Sequence, residues 1–176
     1  MRYHLLLLGL LVFLFNLNLD AKTYYVATTG NDNNTGDIDH PWATWQKAVT
    51  VSVPGDTTYI RGGIYKPTNY IGFTSCIGIC IIPGDRMGVS GTADAPICYF
   101  NYPGETPILD GSLMTTSING WLGGIDVQYA QYIHFRGLTV CNIHQSPPDF
   151  SRTRLRTGQC HPDVRGLTMS EIPCRR

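Results

Sequence analysis

Carboxylates and basic side chains are the groups of this sequence that could do acid–base chemistry. The acids between Lys22 and His144 are Asp32, Asp37, Asp39, Asp56, Asp85, Asp94, Glu105, Asp110 and Asp126. The bases of the same region are Lys22, Lys47, Lys66, Arg61, Arg86 and Arg136. Asp110 and Asp126 offer a carboxylate pair for glycoside hydrolysis, in which two carboxyl groups flank the cleaved bond. Sequence spacing does not fix their separation in space, so the catalytic residues stay unknown.

A dense group of oxygen ligands consists of Asp32, Asn34, Asp37 and Asp39. Alternating oxygens of this kind can bind Ca²⁺, but Gly36 stands where a ligand is wanted and Ala43 where an EF-hand needs glutamate. Asn and Asp side chains also bond to their own backbone in turns. We therefore expect a turn-rich loop, and the metal ligands of the chain stay unknown.

Cysteine is the third reactive residue type, and its six positions are Cys76, Cys80, Cys98, Cys141, Cys160 and Cys174. Six thiols allow fifteen disulfide pairings, so the sequence fixes none of them. Cys76 and Cys80, in Cys-Ile-Gly-Ile-Cys, are candidates to close a small loop, whereas Cys98 and Cys141 lie in apolar runs typical of buried strands. Combined with His134 or His144, the thiols lack the paired-ligand spacing of a zinc site.

Charge and the N-terminal residues restrict partners and location. The chain has 176 residues with 13 basic and 13 acidic side chains, so we expect no nucleic-acid partner. Residues 1–21 combine Arg2, an apolar run and a small residue, Ala21, which predicts a secretory signal peptide. No second apolar run of that kind follows, so no stable membrane insertion is expected after signal cleavage. The predicted location is secreted or extracytoplasmic: periplasm, cell surface or extracellular.

Short strands separated by turn residues are expected to position these groups. The β-prone runs are 23–27, 57–61, 95–102, 106–110, 124–128, 132–135 and 138–141. The last three are joined by corners too tight for most hairpins, which favours one coil of a parallel β-solenoid over a sandwich. From Pro41, the spacing of Trp42, Trp45 and Val49 predicts one short amphipathic helix.

Three segments then resemble the opening of secreted right-handed parallel β-helix proteins of the pectate-lyase-like superfamily. They are Thr-Tyr-Tyr-Val-Ala-Thr-Thr-Gly-Asn-Asp (23–32), His-Pro-Trp-Ala-Thr-Trp-Gln-Lys-Ala-Val (40–49) and Pro-Gly-Asp-Thr-Thr-Tyr-Ile-Arg-Gly-Gly-Ile-Tyr (54–65). Residues 95–111 look like a second stretch of that module, and 132–140 like a standard rung. The resemblance implies an all-β right-handed parallel β-helix over 22–144, with the short helix capping its N-terminal end.

The resemblance also implies a function. Members of this superfamily mostly cleave acidic polysaccharides, often by β-elimination, which needs a base and a cation such as Ca²⁺ or Arg to stabilise an enolate. In the calcium-dependent lyases that the opening resembles, those groups come from later coils, so Ca²⁺ is expected in a full-length relative and no cofactor is identifiable in this chain. The expected partner is an extracellular polysaccharide, and Trp121 is a possible sugar-stacking platform, with a buried position the commoner alternative.

Residues 145–176 differ in composition from the rest, with six Arg and no Lys, Tyr or Trp. We expect these residues to form an irregular tail. Either the gene is read in a shifted frame there, or the tail binds a partner. The β-helix is then incomplete at its C-terminus. Three functions stay open. The first is the N-terminal part of a polysaccharide lyase, inactive as this chain. The others are a non-catalytic glycan-binding or surface scaffold, and a glycoside hydrolase.

Overall fold

The computed structural model describes residues 20–72, 74–114 and 122–143. The signal peptide predicted over 1–21, apart from its last two residues, and the tail predicted over 145–176 lie outside them, as do His144, Trp121, Cys160 and Cys174. The strands are β1 (Thr23–Val26), β2 (Thr57–Ile60), β3 (Gly63–Tyr65), β4 (Cys76–Ile81), β5 (Ile97–Asn101), β6 (Pro107–Asp110), β7 (Gly123–Val127), β8 (Ile133–Arg136) and β9 (Thr139–Cys141). The helix α1 spans Trp45–Val51, and short 3₁₀ turns lie at Pro83–Asp85 and Gly111–Leu113.

From β2 onward, consecutive strands belong to different sheets, and every strand pair is parallel. Sheet A has the order β1-β2-β5-β8, sheet B has β3-β6-β9, and sheet C has β4-β7. The chain therefore winds through one strand of each sheet per coil and stacks each coil on the one before. This is the parallel β-helix that the sequence predicts, and β7, β8 and β9 are the three strands of one coil as expected.

The core lies inside the coil, where the same register positions stack from coil to coil. In sheet A, Thr58 pairs with Tyr99, and Tyr99 pairs with Phe135. The rings of Tyr99 and Phe135 stack with centroids 5.6 Å apart. Leu109 of sheet B and Ile79 of sheet C are also buried. Because one coil supplies only one layer of this interior, burial of its apolar side chains depends on its neighbours.

The predicted helix is present but begins later than the sequence pattern indicates. Trp42 is extended, not helical: it bridges to Val26, and its ring stacks on Tyr24 at 4.7 Å. Thr44 is the N-cap, and its side chain accepts a hydrogen bond from the Lys47 N–H at 3.2 Å. Trp45 is buried on the helix itself and, like Trp42, belongs to the core cluster. Both aromatic residues therefore serve the core, as expected, from two different backbone conformations.

Two strands have no counterpart in the sequence prediction. Gly62-Gly63 reads as a stop signal, yet Gly63 opens β3 with φ of 128°, a conformation that glycine adopts without steric cost. All six residues of β4 are buried, so they show no alternation of polar and apolar side chains. A continuous apolar run does not distinguish a buried strand from other buried segments. Both strands follow from the coil rather than from local pattern.

Candidate functional site

Asp110 lies at the corner that follows sheet B, where the coil register brings three separate segments together. Its carboxylate accepts hydrogen bonds from the Ser112 N–H at 2.9 Å and from Asn142 Nδ2 at 2.7 Å. Lys66 Nζ lies 3.5 Å from Asp110 Oδ2. The register of β3, β6 and β9 stacks these corners, because Tyr65 pairs with Leu109 and Asp110 with Cys141. This group of Lys66, Asp110, Ser112 and Asn142 is called the corner cluster below.

The corner cluster keeps the Asp110 carboxyl ionised despite its burial. Desolvation alone would raise the pKa of Asp110, but hydrogen bonds from Asn142, Ser112 and Lys66 outweigh it and hold the pKa below its usual value. An ionised, fully bonded carboxylate is a poor proton donor at neutral pH. Asp110 is therefore suited to positioning Lys66 rather than to acting as a general acid.

The other half of the predicted carboxylate pair lies elsewhere. Asp126 is on β7 of sheet C, and its Oδ2 accepts a hydrogen bond from Gln128 Nε2 at 2.8 Å. Asp110 ends β6 of sheet B. The described contacts place the two carboxylates in different hydrogen-bond networks, so the structure shows no shared site for them.

Aromatic rings and an arginine follow one register position across the outer face of sheet A. Tyr25 pairs with Tyr59, Tyr59 with Phe100, and Phe100 with Arg136. The Tyr25 and Tyr59 rings stack at 6.0 Å, and the Arg136 guanidinium lies 4.2 Å from the Phe100 ring centroid. We call these four residues the outer column. Neighbouring strands lie about 4.8 Å apart, so its side chains form a continuous stripe along the coil axis.

An ion pair with additional hydrogen bonds lies beside the outer column. Arg61 and Glu105 form a forked pair, with Arg61 Nη2 2.8 Å from Glu105 Oε1 and Arg61 Nε 3.0 Å from both oxygens. The Gly62 N–H also donates to Glu105, and the guanidinium lies 4.5 Å from the Tyr102 ring centroid. Hydrogen bonds from Arg61 and Gly62 hold the pKa of Glu105 below its usual value. The pair thus ties the corner after β2 to the turn before β6.

The predicted turn-rich loop uses its carboxylates on its own backbone. Asp32 accepts hydrogen bonds from the N–H groups of Ala43 and Thr44, at 2.8 and 2.9 Å. Asp37 accepts them from Asp39 and His40, at 3.0 and 2.8 Å. Across residues 20–72, 74–114 and 122–143, no group of three or more His, Cys, Asp or Glu side chains is placed to hold a metal ion. The Asp32 and Asp37 carboxylates thus satisfy backbone N–H groups of the loop and of the start of α1.

Cys76 and Cys80, the candidates to close a small loop, are free thiols on one strand. Cys76 pairs with Gly123 and Cys80 with Asp126. The register of β4 shifts between Cys76 and Ile79. The Cys76 thiol instead lies 3.0 Å from the Ile79 carbonyl. A hydrogen bond between the two thiols lowers the pKa of Cys80.

Sequence reasoning missed both the corner cluster and the outer column. Lys66 and Asp110 are 44 residues apart and become neighbours only through the register of β3 and β6. Tyr25, Tyr59 and Phe100 were visible only as β-prone aromatic residues. Alignment of the coils by their strand starts is the one signal in the sequence that could have revealed these stacks. Within the described part of the chain, no helix has the length and apolar character that crossing a bilayer requires.

Comparison with known proteins identifies the family. Residues 24–159 match the family described as Pel9A-like, right-handed beta helix region. Pectate lyase PEL9 of Emericella nidulans is 34% identical over 130 residues, which cover 69% of this chain and 28% of that protein. A solved structure named Rhamnogalacturonan lyase is 29% identical with a TM-score of 0.58, over 69% of this chain and 29% of that one. The crystal structure of pectate lyase Pel9A is 23% identical with a TM-score of 0.45, over 70% of this chain and 28% of that one.

The shared part is therefore a fraction of each relative, since the chain spans 28% of the length of the curated relative that it matches. The family match nevertheless includes every strand from β2 to β9 and the helix between β1 and β2. The right-handed β-helix named in the family description agrees with the parallel stacked sheets of the structure. This chain belongs to the Pel9A-like right-handed β-helix family.

Proposed function

We propose that this chain forms the N-terminal coils of an extracytoplasmic polysaccharide lyase that acts on uronate-containing glycans. One observation carries the proposal: the family match extends over the stacked parallel coils, where the chain is 34% identical to a protein named pectate lyase. The 29% identical structure is named Rhamnogalacturonan lyase. Both named substrates are acidic polysaccharides, which supports an acidic glycan as the partner of this chain.

These coils hold and contact the polymer but do not cleave it. β-Elimination from a uronate requires a free base opposite a cation that stabilises the developing enolate. Among the described residues, Lys66 is paired with Asp110 and Arg61 with Glu105. The described carboxylates do not assemble a metal site. Arg136 is unpaired, but no metal-holding group of carboxylates accompanies it among the described residues, so the proposal places the reacting groups of the lyase in other coils.

The outer column supports contact with an acidic polymer. Arg136 is exposed and makes no ion pair among the residues that the structure describes. Its guanidinium presents several N–H donors, which suit a carboxylate. Tyr25 and Tyr59 are half-buried and lie on the same stripe. A chain of uronates laid along this face would meet a cation and tyrosine side chains in series.

Affinity electrophoresis of the full chain through gels containing polygalacturonate or a neutral glucan tests the proposal. We expect retention by polygalacturonate alone, weakening as salt increases because exposed charges are screened. Arg136→Gln should reduce the retention, whereas Arg86→Gln, an exposed arginine after the first 3₁₀ turn, is the matched control and should not.

A parallel assay measures the ultraviolet absorbance of unsaturated products. No product is expected from this chain, with or without added Ca²⁺. Retention without product is the predicted outcome, and product formation would show that the chain is catalytic. Equal mobility in every gel would contradict the acidic-glycan function.

A further inference from the structure

Two cysteines of β4 belong to a small buried cluster beside the main core. Cys76 and Cys80 are each 0% exposed and form this cluster with Ile82. Ile71 and Met87, which are partly buried, pack against it. The three isoleucines of β4 belong to the main core instead. The two cysteines, called the thiol pair below, therefore pack together in a cluster separate from the coil interior.

An irregularity in β4 brings the two sulfur atoms into contact. In a straight strand, four residues span about 13 Å. The strand partners of Cys76 and Cys80 on β7 are Gly123 and Asp126, which are only three residues apart. The register shifts between Cys76 and Ile79, so β4 holds one residue more than β7 over this stretch. The Cys76 thiol lies 3.0 Å from the Ile79 carbonyl oxygen, whose peptide bond leads directly into Cys80, and the two thiols share a hydrogen bond.

The two thiols differ in acidity, and the difference suits thiol–disulfide exchange. Hydrogen bonds from Cys76 and from the Thr74 hydroxyl lower the pKa of Cys80. The hydrogen bond to Cys80 and burial raise the pKa of Cys76. A thiolate is the species that attacks a disulfide, and a neighbouring thiol then resolves the mixed disulfide. Cys80 is therefore suited to attack, and Cys76 is placed to resolve.

We propose that Cys76 and Cys80 become joined by a disulfide when the chain folds in the presence of a small-molecule disulfide such as oxidised glutathione. The Cys80 thiolate attacks one sulfur of the oxidant and releases a first thiolate. Cys76 loses its proton, attacks the Cys80 sulfur and releases a second one. The thiol pair thus gives up two protons and two electrons, and the oxidant is reduced to two thiols. Both cysteines are enclosed in the folded chain, so the exchange takes place while β4 is still open.

The bond fixes the irregular part of β4 where sheet C approaches sheet B. Gly78 lies inside the loop that the bond closes, and a side chain there would collide with Leu109. A disulfide stabilises a fold mainly by restricting the unfolded chain, and the effect is smaller for a short loop. The oxidised chain should therefore resist unfolding slightly better than the reduced chain. Compartments outside the cytoplasm favour such bonds, in agreement with the location that the proposed function gives this chain.

Alkylation followed by mass spectrometry tests the proposal on the full chain. Trypsin releases residues 62–86 as one peptide, because a proline follows Lys66, and this peptide holds the thiol pair and no other cysteine. The chain is unfolded in urea, refolded with reduced and oxidised glutathione, denatured again and alkylated. We expect the peptide to resist alkylation and to weigh two hydrogen atoms less than its reduced form. Cys98, on the separate peptide 87–136, is the control and should be alkylated.

Variants show whether the two cysteines pair with each other. In Cys76→Ser, Cys80 should be alkylated or carry one glutathione, whereas in Cys98→Ser the 62–86 peptide should stay oxidised. Full alkylation of that peptide in the wild type overturns the proposal, and so does a bond from either cysteine to a cysteine outside it. The same mapping on chain exported into an oxidising compartment of an expression host gives a result that does not depend on refolding.

Urea unfolding measures what the bond contributes. Reductant should lower the unfolding midpoint of the oxidised wild type and leave that of the Cys76→Ser/Cys80→Ser variant unchanged. An equal fall in both proteins would show that other cysteines carry the effect and would overturn the stabilising role of this bond. None of these readouts involves a polysaccharide, so the disulfide and the proposed function can fail independently.

Discussion

Asp56 joins the residue before β1 to the turn that precedes β2. Its carboxylate accepts a hydrogen bond from the Lys22 N–H at 2.8 Å and another from the Val53 N–H at 2.9 Å. The side chain is fully buried, so water cannot replace either bond. The sequence identifies Asp56 as a turn residue after Pro54-Gly55, and the bond to Val53 agrees with that. The bond to the Lys22 N–H, across 34 residues, forms only in the folded coil.

Asp56→Ala should lower the free energy of unfolding by about 1–3 kcal/mol, because it leaves two N–H groups without their acceptor. Urea unfolding followed by circular dichroism measures the change. Asp94→Ala is the matched control, since Asp94 is exposed in the turn before β5 and should leave the midpoint unchanged. Equal midpoints for all three proteins would show that the Asp56 bonds add nothing to stability.

The candidate functional residues mark the limit of inference from residue types. Asp110 is recognisable in the sequence as a carboxylate near a turn, and the structure confirms that it ends a strand. Its contacts with Lys66 and Asn142 depend on which corner stacks on which, and no local pattern carries that information. The same limit applies to Cys76 and Cys80, which closeness in sequence made candidates for a disulfide and which the structure describes as free thiols.

At the scale of elements, the pair of Arg61 and Glu105 connects two coils and makes their association depend on pH. Because hydrogen bonds hold the pKa of Glu105 below 4.5 in the folded chain, its ionised form stabilises folding above that pH. This stabilisation is lost as the pH falls through the lowered folded-state pKa. The side chains are 37% and 29% exposed, so solvent screening keeps the contribution below about 1 kcal/mol.

Glu105→Gln should therefore unfold at a lower urea concentration than the wild type at neutral pH, and the difference should shrink at a pH well below 4.5. Urea midpoints across that range measure the effect. Asp85→Asn, an exposed carboxylate of the first 3₁₀ turn, should follow the wild-type curve. A gap between Glu105→Gln and wild type that persists unchanged in acid would refute a role for the ionised carboxylate.

Glycine lets sheet C approach the interior side chains of sheet B closely. A Cβ at Gly78 would lie 2.3 Å from Leu109 Cδ2, and one at Gly124 would lie 2.3 Å from Val140 Cγ1. Both glycines are buried, and a Cβ at Gly78 would also lie 2.5 Å from the backbone oxygen of Gly124. The narrow interior at this level therefore requires the absence of a side chain on β4 and β7.

Gly124→Ala should destabilise the fold by about 1–3 kcal/mol through overpacking. Thermal unfolding measured by calorimetry gives the change. Gly84→Ala is the control, because a Cβ there meets no atom within 4 Å, and its stability should stay level or rise slightly. A Gly124→Ala chain as stable as Gly84→Ala would show that Val140 moves aside without cost.

The sequence predicts strands correctly where local alternation and turn residues agree. It fails where contacts between coils determine the backbone conformation. β5, β8 and β9 follow runs bounded by Gly, Pro or charged corners, and each is found within two residues of its expected limits. The helix was placed too early because Trp42 fits the helical spacing, whereas Asp32 bonds to the N–H groups of Ala43 and Thr44, beside the bridge between Trp42 and Val26. Interactions distant in sequence overrode the local propensity there.

At the scale of the whole molecule, stacking raises the free energy of opening a middle coil above that of an end coil. β5 bonds in both directions: the Cys98 N–H donates to the Asp56 carbonyl at 2.9 Å, and the Ile97 N–H donates to the Tyr132 carbonyl at 3.0 Å. β1 has a strand on one side, β2, and the irregular segment around Gly36 and Trp42 on the other. Opening β5 therefore breaks two strand pairings, whereas opening β1 breaks one strand pairing and the few backbone bonds to Gly36 and Trp42.

Native-state hydrogen exchange followed by mass spectrometry should accordingly find slower exchange in peptides covering β5 than in those covering β1. In a solenoid, coils contact only their neighbours, so opening from an end costs less free energy than opening from the middle. Substitution of Tyr99, which is 1% exposed on β5, tests this stacking. Tyr99→Phe keeps the ring and should preserve the slower exchange of β5 relative to β1. Tyr99→Ala removes the stack with Phe135 and should speed exchange in β5 and β8 together. Equal exchange rates along sheet A in the wild type would mean that the described coils open as one unit, against nearest-neighbour stacking.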